Sequence, residues 1–259
     1  MKMSLDTERR TVVVEDEQGV REIQLYSTEA FAALSRVWVN TGWELKYTYG
    51  FSWLGRPIIQ LPEDMVRVQE VVFDVRPDIV IETGVAHGGS LVFYASLLRS
   101  MGTGRVIGID IEIRPPNREA IEAHPLAPLI TLIDGSSTDP AVVDRVKALI
   151  RPEDRVLVVL DSNHTRRHVR DELEAYAPLV TPDSYIVVAD GVLEDLADVP
   201  RGKQEWAQDN PKKAAEEFLL EHPEFVPVDP PIPFNEGSIT APVTHWPSGY
   251  LRRSRTPQR

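Results

Sequence analysis

Five acidic residues each stand at the end of an apolar run, and acids in this position could do chemistry together. The runs read DIVIET, RVIGID, LITLIDG, RVLVVLD and SYIVVAD, and their acids are Glu82, Asp110, Asp134, Asp161 and Asp190. Apolar runs that alternate with helical segments predict a parallel sheet covered on both faces. Such sheets bind ligands at the carboxyl ends of their strands. We therefore expect the five acids to line one ligand-binding edge.

The stretch ETGVAHGGS follows the first of these runs and precedes a helical segment. A glycine turn of this kind lets the backbone approach a ligand, and the N-terminus of the next helix favours negative charge. The dinucleotide fingerprint would place a glycine where Ala86 stands. An acid two residues before the first glycine, here Glu82 before Gly84, is typical of proteins that bind S-adenosylmethionine. The stretch therefore favours that cofactor, with NAD as the alternative.

Cofactor contacts are expected from this turn and from the strand ends beside it. The residues are Glu82, Gly84, His87, Ser90, Asp110, Asp134, Ser136 and Asp161. Glu82 and Gly84 should face the methionine part of the cofactor, and Asp110 should bind the ribose hydroxyls. Asp134 or Ser136 should lie near the adenine. His87 is expected to shape the loop rather than to act as an acid or base.

The strand-end acids must be positioned by the elements around them, and hydrophobic spacing predicts these elements. Residues 11–25 predict two short strands around a turn at Glu17-Gln18-Gly19, and a helix should begin at Pro62. Two last strands, FVPVDP and SGYLRRS, join the sheet, with the final strand antiparallel as in class I methyltransferases. Further helices are predicted over residues 28–40, 89–101, 138–150 and 165–180, and over a segment that ends near His222.

The chain is expected to divide into an N-terminal cap and lid over residues 1–76 and a cofactor-binding catalytic domain over residues 77–259. Three aromatic residues of the cap, Tyr49, Phe51 and Trp53, are candidates for an acceptor pocket, because aromatic faces stack on sugars or flat rings. The alternative that the same side chains pack in the core of the cap is equally open.

Composition limits the partners of the chain. Its formal net charge of -12 argues against a nucleic-acid partner, because phosphate binding needs a basic surface. The absence of cysteine excludes disulfides and thiolate metal sites. No apolar run approaches about 18 residues, and no apolar signal core follows MKMSLDTERR. We expect a soluble cytoplasmic protein with no membrane partner, and whether it forms a homo-oligomer stays open.

Several stretches together resemble the cephalosporin hydroxylase family. They include SWLGRPIIQLPEDMVRVQEVV, VIETGVAHGGSLVFYASLL and VLVVLDSNHTRRHVRDELEAYAPLVTPDSYIVVADG, within residues 45–225. Despite the family's name, its members resemble S-adenosylmethionine-dependent O-methyltransferases, including rhamnosyl O-methyltransferases. The resemblance implies a class I methyltransferase (Rossmann-like) fold, which is an α/β fold with a mostly parallel seven-stranded sheet and helices on both faces. It also implies a divalent metal, usually magnesium, beside the methyl donor.

The resemblance further implies the metal ligands, because related sugar methyltransferases use three carboxylates. One position maps onto Asp161 and another onto Asp190, whereas the third holds Ala189 in this chain. Two carboxylates could still hold magnesium, which keeps waters readily, and the amide oxygen of Asn163 is a further candidate ligand.

Methyl transfer to a hydroxyl needs groups that position the oxygen and remove its proton. Asp161 is placed for both tasks. His164, three residues on, is a candidate base or partner of the metal, and a helix-capping or structural role for it is open. His168, one turn later, is expected to be solvated or packed.

These residues and the resemblance predict a metal-assisted O-methyltransferase that uses S-adenosylmethionine and acts on a sugar or similar secondary hydroxyl of a natural product. One alternative is a component of β-lactam hydroxylation or methoxylation, although no His-x-Asp…His iron triad is visible. Another is a non-catalytic cofactor-binding partner in a biosynthetic complex, which Ala189 supports.

Overall fold

Twelve strands and seven α-helices follow one another in the computed structural model, which describes residues 2–16, 19–232, 236–239 and 241–255. The strands are β1 (Lys2–Asp6), β2 (Thr11–Asp16), β3 (Gly19–Gln24), β4 (Phe51–Trp53), β5 (Arg56–Ile58), β6 (Ile79–Thr83), β7 (Arg105–Asp110), β8 (Ile130–Asp134), β9 (Val156–Leu160), β10 (Tyr185–Val188), β11 (Phe225–Pro227) and β12 (Tyr250–Arg253). The helices are α1 (Thr28–Glu44), α2 (Pro62–Val75), α3 (Gly89–Met101), α4 (Pro115–Glu122), α5 (Pro140–Ala148), α6 (Arg166–Tyr176) and α7 (Pro211–Glu221). Within these described ranges, no helix combines the length and apolarity needed to span a membrane.

Seven strands form the main sheet, in the order β11-β12-β10-β9-β6-β7-β8. The five strands from β6 to β10 run parallel to one another, so that Ile81 of β6 pairs with Ile107 on one side and Val158 on the other. Strand β12 lies antiparallel between β10 and β11. The predicted class I methyltransferase (Rossmann-like) fold, with its inserted antiparallel strand, is confirmed.

Helices cover the main sheet on both faces, because alternate side chains of each strand point to opposite sides. In β6, Val80 packs in the core that contains α2 and α3. Ile79 and Ile81 pack in the core that contains α5, α6 and α7. All five residues of β6 are buried, which explains why the run is apolar without alternation.

A separate antiparallel sheet of β1, β2 and β3 lies at the N-terminus with α1. Val12, Val14 and Ala30 form its small core. Strands β2 and β3 are the two predicted over residues 11–25, and Glu17 and Gln18 of the predicted turn lie outside the described residues. Strand β1, which pairs with β2, was missed because its mostly exposed residues carry little hydrophobic signal.

The predicted helices are present, and two of them are shorter than the hydrophobic spacing indicates. Helix α5 begins after Asp139, whose carboxylate caps it by accepting a hydrogen bond from a backbone N–H two residues on. Helix α6 ends at Tyr176, before a 3₁₀ turn that contains Pro178. Local capping and proline chemistry therefore set these boundaries.

Two elements beside the ligand-binding edge were not predicted. Helix α4 has the mostly polar sequence PPNREAIE and buries only Ile121, so its periodic signal is weak. The β4–β5 hairpin turns at Leu54 and Gly55, both of which have positive φ. The hairpin lies inside the aromatic stretch for which no period is visible.

Asp64, in the first turn of α2, is hydrogen-bonded to the segment that leads into β12. Its carboxylate accepts hydrogen bonds from the Thr244 hydroxyl and, at 2.8 Å, from the backbone N–H of His245. The Asp64 residue is 1% exposed, and burial raises the pKa of its carboxyl to about 7 despite these donors. The folded state therefore holds this proton more tightly than the unfolded state does, which favours folding at lower pH.

We predict that Asp64 makes the protein less stable as the pH rises towards 7. Between its ordinary pKa of 3.8 and about pH 7, the unfolded state has released this proton while the folded state retains it. The free energy of unfolding should therefore fall by about 1 kcal/mol for each pH unit in this interval, and the fall should end above pH 7. Urea unfolding of the wild type and of Asp64→Asn, which cannot titrate, measures this contribution. An equal pH dependence in both proteins would contradict it.

Candidate functional site

A cavity of about 220 Å³ lies at the carboxyl edge of the sheet, where β6, β9 and β10 end. Its walls come from the glycine loop after β6, the ends of β9 and β10, and the chain just before α2. The lining residues that matter most are Gln60, Gly84, Ser90, Asp161, His164 and Asp190. This position is the ligand-binding edge expected for a parallel sheet.

Gly84, the first residue after β6, brings the glycine loop against the end of β9. Its φ of +92° lies in the left-handed region, and a Cβ there would overlap the carbonyl oxygen of Asp161. The backbone N–H of Asp161 donates to the carbonyl oxygen of Thr83 at 2.9 Å. The loop and the strand-end acid are therefore in direct backbone contact, which only glycine permits.

The glycine loop is held from outside by two polar side chains. Arg56 of β5 donates to the carbonyl oxygen of His87 from Nε at 3.0 Å and from Nη2 at 2.6 Å. Asn117 of α4 donates from Nδ2 to the carbonyl oxygen of Ala86 at 2.8 Å. The His87 ring nitrogen Nδ1 lies 3.4 Å from Asn117 Oδ1. These contacts support the loop-shaping role of His87, which stays a prediction.

Asp110, the residue expected beside the ribose, also supports the glycine loop. Its Oδ2 accepts hydrogen bonds from the backbone N–H of Val85 at 2.9 Å and of Ala86 at 3.2 Å. Its Oδ1 accepts from the backbone N–H of Glu112 at 3.2 Å. The carboxylate thus lies at the end of β7 in a fixed orientation, outside the walls of the cavity.

Asp134 and Ser136, the residues expected near adenine, lie beyond the cavity at the end of β8. Asp134 forms an ion pair with Arg118, and Ser136 Oγ lies 3.1 Å from the hydroxyl oxygen of Thr138. The structure therefore places both on the predicted edge, and their contact with a cofactor stays a prediction.

Glu82 is fully buried beneath the glycine loop. Its Oε2 accepts a hydrogen bond from the Ser90 hydroxyl at 2.6 Å, and among the described residues its Oε1 has no partner. Burial raises the pKa of this carboxyl to about 8, so that it carries a proton at neutral pH. Glu82 is therefore a neutral hydrogen-bonding group rather than an anion under these conditions.

Asp161, His164 and Asp190 come together on one wall of the cavity. One ligand atom from each lies within 4.8 Å of the others, and His164 Nε2 is 3.5 Å from Asp190 Oδ2. Burial, together with repulsion from Asp190 and Glu82, raises the pKa of Asp161 well above its ordinary value. Across the described residues, no lysine or arginine forms an ion pair with either aspartate. This cluster could hold a divalent cation, which would neutralise the repulsion.

Ala189 and Asn163, the two other positions considered as metal ligands, offer no side-chain oxygen that is free to bind a metal. Ala189 is buried at the end of β10. The Asn163 amide oxygen accepts from both the backbone N–H and the hydroxyl of Thr165, each at 2.9 Å, at the start of α6. The expectation that Asn163 supplies a ligand is therefore not supported, because its oxygen is engaged in this local turn.

His168 is packed rather than solvated, and it belongs to a polar network behind the cavity. Its Nε2 lies 3.2 Å from the hydroxyl oxygens of both Ser137 and Ser162. The same nitrogen is 3.4 Å from Glu172 Oε1, and this contact raises the pKa of His168. Glu172 is fully buried, so it differs from the solvated charges around it on α6.

Only Tyr49 of the three candidate aromatic residues lines this cavity. Trp53 packs edge-on against Phe93 with ring centroids 5.0 Å apart, and its Nε1 donates to Ser96 Oγ at 3.0 Å. Phe51 packs against the same core. Phe51 and Trp53 therefore do not line this cavity, because the β4–β5 hairpin turns both towards α3, and their place in an acceptor pocket stays a prediction.

Sequence reasoning missed three residues at the site, namely Gln60, Arg56 and Asn117. Gln60 lines the cavity beside Asp161, whereas Arg56 and Asn117 hold the glycine loop. Arg56 and Gln60 lie within SWLGRPIIQLPEDMVRVQEVV, so the stretch that carries the family resemblance was the signal that could have found them. Asn117 belongs to the unpredicted helix α4.

Comparisons with known proteins find relatives of this chain. The family model described as Rhamnosyl O-methyltransferase/CmcI matches residues 45–254, which confirms the resemblance seen in the sequence. A rhamnosyl O-methyltransferase from Mycobacterium leprae (strain TN) is 29% identical over 152 residues, covering 58% of this chain and 64% of the relative. One from Mycobacterium bovis (strain BCG / Pasteur 1173P2) is 31% identical over 129 residues, covering 49% and 51%. The chain therefore spans less than two thirds of these relatives.

A solved structure of CmcI, described with Mg and SAM, is similar in fold. Its TM-score is 0.51 at 19% identity, over 79% of this chain and 77% of the CmcI chain. At this identity the likeness establishes the shared fold, and it agrees with the class I methyltransferase sheet described above.

We predict that Gly84→Ala destabilises the protein by at least about 2 kcal/mol, because it adds both backbone strain and overlap with Asp161. Gly55→Ala is the matched control, since Gly55 also has positive φ but has nothing within 4 Å of its Cβ position. That variant should lose only about 1 kcal/mol. Urea unfolding measures both losses. Equal losses would show that the contact with Asp161 does not constrain Gly84.

Proposed function

Because the chain belongs to the rhamnosyl O-methyltransferase/CmcI family, we propose that it is an S-adenosylmethionine-dependent O-methyltransferase. The observation that carries this proposal is the backbone contact between Gly84 of the glycine loop and Asp161 of the acidic cluster. A methyl donor held by the loop would lie beside carboxylates that can handle a hydroxyl. Proximity of donor and acceptor is the main requirement for methyl transfer.

The glycine loop and the strand ends fit S-adenosylmethionine. Gly84 lets the backbone approach the ligand, and Glu82 offers a neutral group with one unpartnered oxygen within the described chain. Asp110 stands one strand away, at the position proposed for the ribose. The proposed contact residues are Glu82, Gly84, His87, Ser90, Asp110, Asp134, Ser136 and Asp161.

Asp161 and Asp190 fit a magnesium ion, since hard cations prefer oxygen ligands and magnesium keeps several waters. No lysine or arginine pairs with them within the described chain, which leaves their charges to be compensated by a cation. The CmcI structure described with Mg and SAM supports the same pairing of metal and cofactor. Ala189 means that this site has one carboxylate fewer than the set expected from related sugar methyltransferases.

When bound, S-adenosylmethionine supplies an electrophilic methyl group and a divalent cation lowers the pKa of the acceptor hydroxyl. The side chains of the cavity position the acceptor oxygen and move its proton. We assign the role of base to His164, because Asp161 is needed for the cation. Asp190 Oδ2, 3.5 Å from His164 Nε2, would stabilise the imidazolium that results.

The proposed acceptor is a sugar or similar secondary hydroxyl of a natural product. Two relatives are named rhamnosyl O-methyltransferase, and Tyr49 offers an aromatic face in the cavity wall. We propose that the cap over residues 1–76 covers the acceptor while residues 77–259 bind the cofactor and carry the chemistry. Within the cap, α2 packs on the main sheet and so links the two parts.

Isothermal titration of S-adenosylmethionine with and without MgCl₂ tests this function, followed by mass spectrometry of methyl transfer to a panel of rhamnosides. We expect binding in both conditions and methylation only with the metal. No binding of the methyl donor in either condition would contradict the proposal. Binding of S-adenosylmethionine without methyl transfer to any acceptor would favour the alternative that the chain is a non-catalytic partner. The buried Ala189 supports that alternative.

We predict that Asp161→Asn lowers methyl transfer at least about 100-fold while S-adenosylmethionine affinity stays within a few-fold. The change removes a ligand charge but preserves the shape of the side chain beside Gly84. Asp144→Asn, an exposed aspartate on α5, is the matched control and should change neither quantity. Unchanged turnover in Asp161→Asn would refute the assigned role.

A further inference from the structure

Helix α6 has three polar side chains in line that the proposed chemistry does not use. His168, Glu172 and Tyr176 follow one another at intervals of four residues, so they lie on one face of the helix, the α6 polar face. Glu172 and Tyr176 are fully buried. Buried polar side chains are costly unless they are hydrogen-bonded, so their partners indicate what this face holds in place.

Two of these side chains bind separate loops. Tyr176 Oη donates to the backbone carbonyl oxygen of Ser137 at 2.9 Å. Glu172 Oε1 accepts a hydrogen bond from the Ser162 hydroxyl at 2.7 Å. Ser137 lies in the loop between β8 and α5, and Ser162 lies in the loop between β9 and α6. The α6 polar face therefore contacts the loops that follow two different strands.

His168 joins the two loops directly. Its Nε2 lies 3.2 Å from the hydroxyl oxygen of Ser137 and 3.2 Å from that of Ser162. The Ser162 hydroxyl gives its hydrogen to Glu172, so towards His168 it can only accept. Nε2 therefore has a hydrogen, which the two serine oxygens share. We call this pair of contacts the His168 bridge.

Glu172 orients the parts of the His168 bridge. Its Oε1 accepts from Ser162 and lies 3.4 Å from His168 Nε2. Across the described residues, no lysine or arginine forms an ion pair with this buried carboxylate. A buried carboxylate is costly unless it has such partners. The carboxylate therefore depends on the bridge that it orients, and loss of the His168 ring should also loosen Ser162.

Pairing within the main sheet does not join the two loops. Strands β8 and β9 are separated by β6 and β7, so these two strands do not pair with each other. Ser137 follows Ser136, which is proposed to contact adenine, and Ser162 lines the cavity next to Asp161. The His168 bridge therefore connects the adenine end of the proposed cofactor site to the acidic cluster.

We propose that His168 is a positioning residue that holds the adenine end of the cofactor site at a fixed distance from the acidic cluster. This role rests on the proposed S-adenosylmethionine-dependent function. A ligand that contacts both loops binds more tightly when the loops are already held together, because less freedom is lost on binding. Loss of the bridge should therefore weaken binding of the whole cofactor but not of a fragment that contacts one loop.

Binding of the whole cofactor and of a fragment tests the His168 bridge without measuring turnover. Isothermal titration measures the affinity for S-adenosylmethionine, and an NMR titration measures the affinity for adenosine, which reaches only the adenine end. The variants are His168→Leu, which removes the donor, and His168→Gln, whose amide keeps a donor near the position of Nε2. Arg167→Leu is the matched control, because the Arg167 side chain is next to His168 on α6 and is 95% exposed.

We expect His168→Leu to weaken S-adenosylmethionine binding about 10-fold and adenosine binding less than about 2-fold. His168→Gln should recover most of the lost affinity, and Arg167→Leu should bind both ligands as the wild type does. Ser137→Ala, which removes one oxygen from the bridge, should weaken S-adenosylmethionine binding about 3-fold.

Equal S-adenosylmethionine affinities in His168→Leu and Arg167→Leu would overturn the bridge. Equal fold-losses for S-adenosylmethionine and adenosine in His168→Leu would overturn it as well, because the adenine end itself would then be damaged. If His168→Leu does not fold, unchanged S-adenosylmethionine affinity in Ser137→Ala would overturn the bridge instead. A wild type that binds no S-adenosylmethionine would reject the proposed function and the bridge together.

Discussion

The backbone contact between Gly84 and Asp161 is the constraint on which the site depends. It exists because β6 and β9 are parallel neighbours whose carboxyl ends meet, and because the residue after β6 has no side chain. Through this contact the glycine loop, which Arg56 and Asn117 hold from outside, lies against the start of the acidic cluster. A shift of either strand end would separate the proposed cofactor loop from the proposed metal ligands.

Crowded negative charge is the second physical feature of the site. Burial and repulsion from Asp190 and Glu82 raise the pKa of Asp161, and no lysine or arginine pairs with the two aspartates in the described chain. The structure suggests two ways in which this negative charge is relieved. Glu82, sealed under the loop, keeps its proton, whereas Asp161 and Asp190 face a cavity that a cation can enter.

Much of the fold could be predicted from the sequence, because buried parallel strands are continuous apolar runs and their end acids mark the ligand edge. The pairing of Asp161 with Asp190 follows from that rule and from the family resemblance. The contact of Asn117 with the glycine loop could not be predicted, since it comes from α4, whose mostly polar sequence gives a weak periodic signal. The direction in which Phe51 and Trp53 pack could not be predicted, because composition does not say which way a short hairpin turns its side chains.

The proposed function requires the strand-end carboxylates to hold a divalent cation directly beside the cofactor loop. Crystals grown with S-adenosylhomocysteine and Mn²⁺, measured at a wavelength where manganese scatters anomalously, test it most directly. We expect one strong anomalous peak between Asp161 and Asp190, with the cofactor density running along Gly84 towards Asp110. Cofactor density at the loop without a peak between the two aspartates, or a peak at a different cluster of acids, would contradict it.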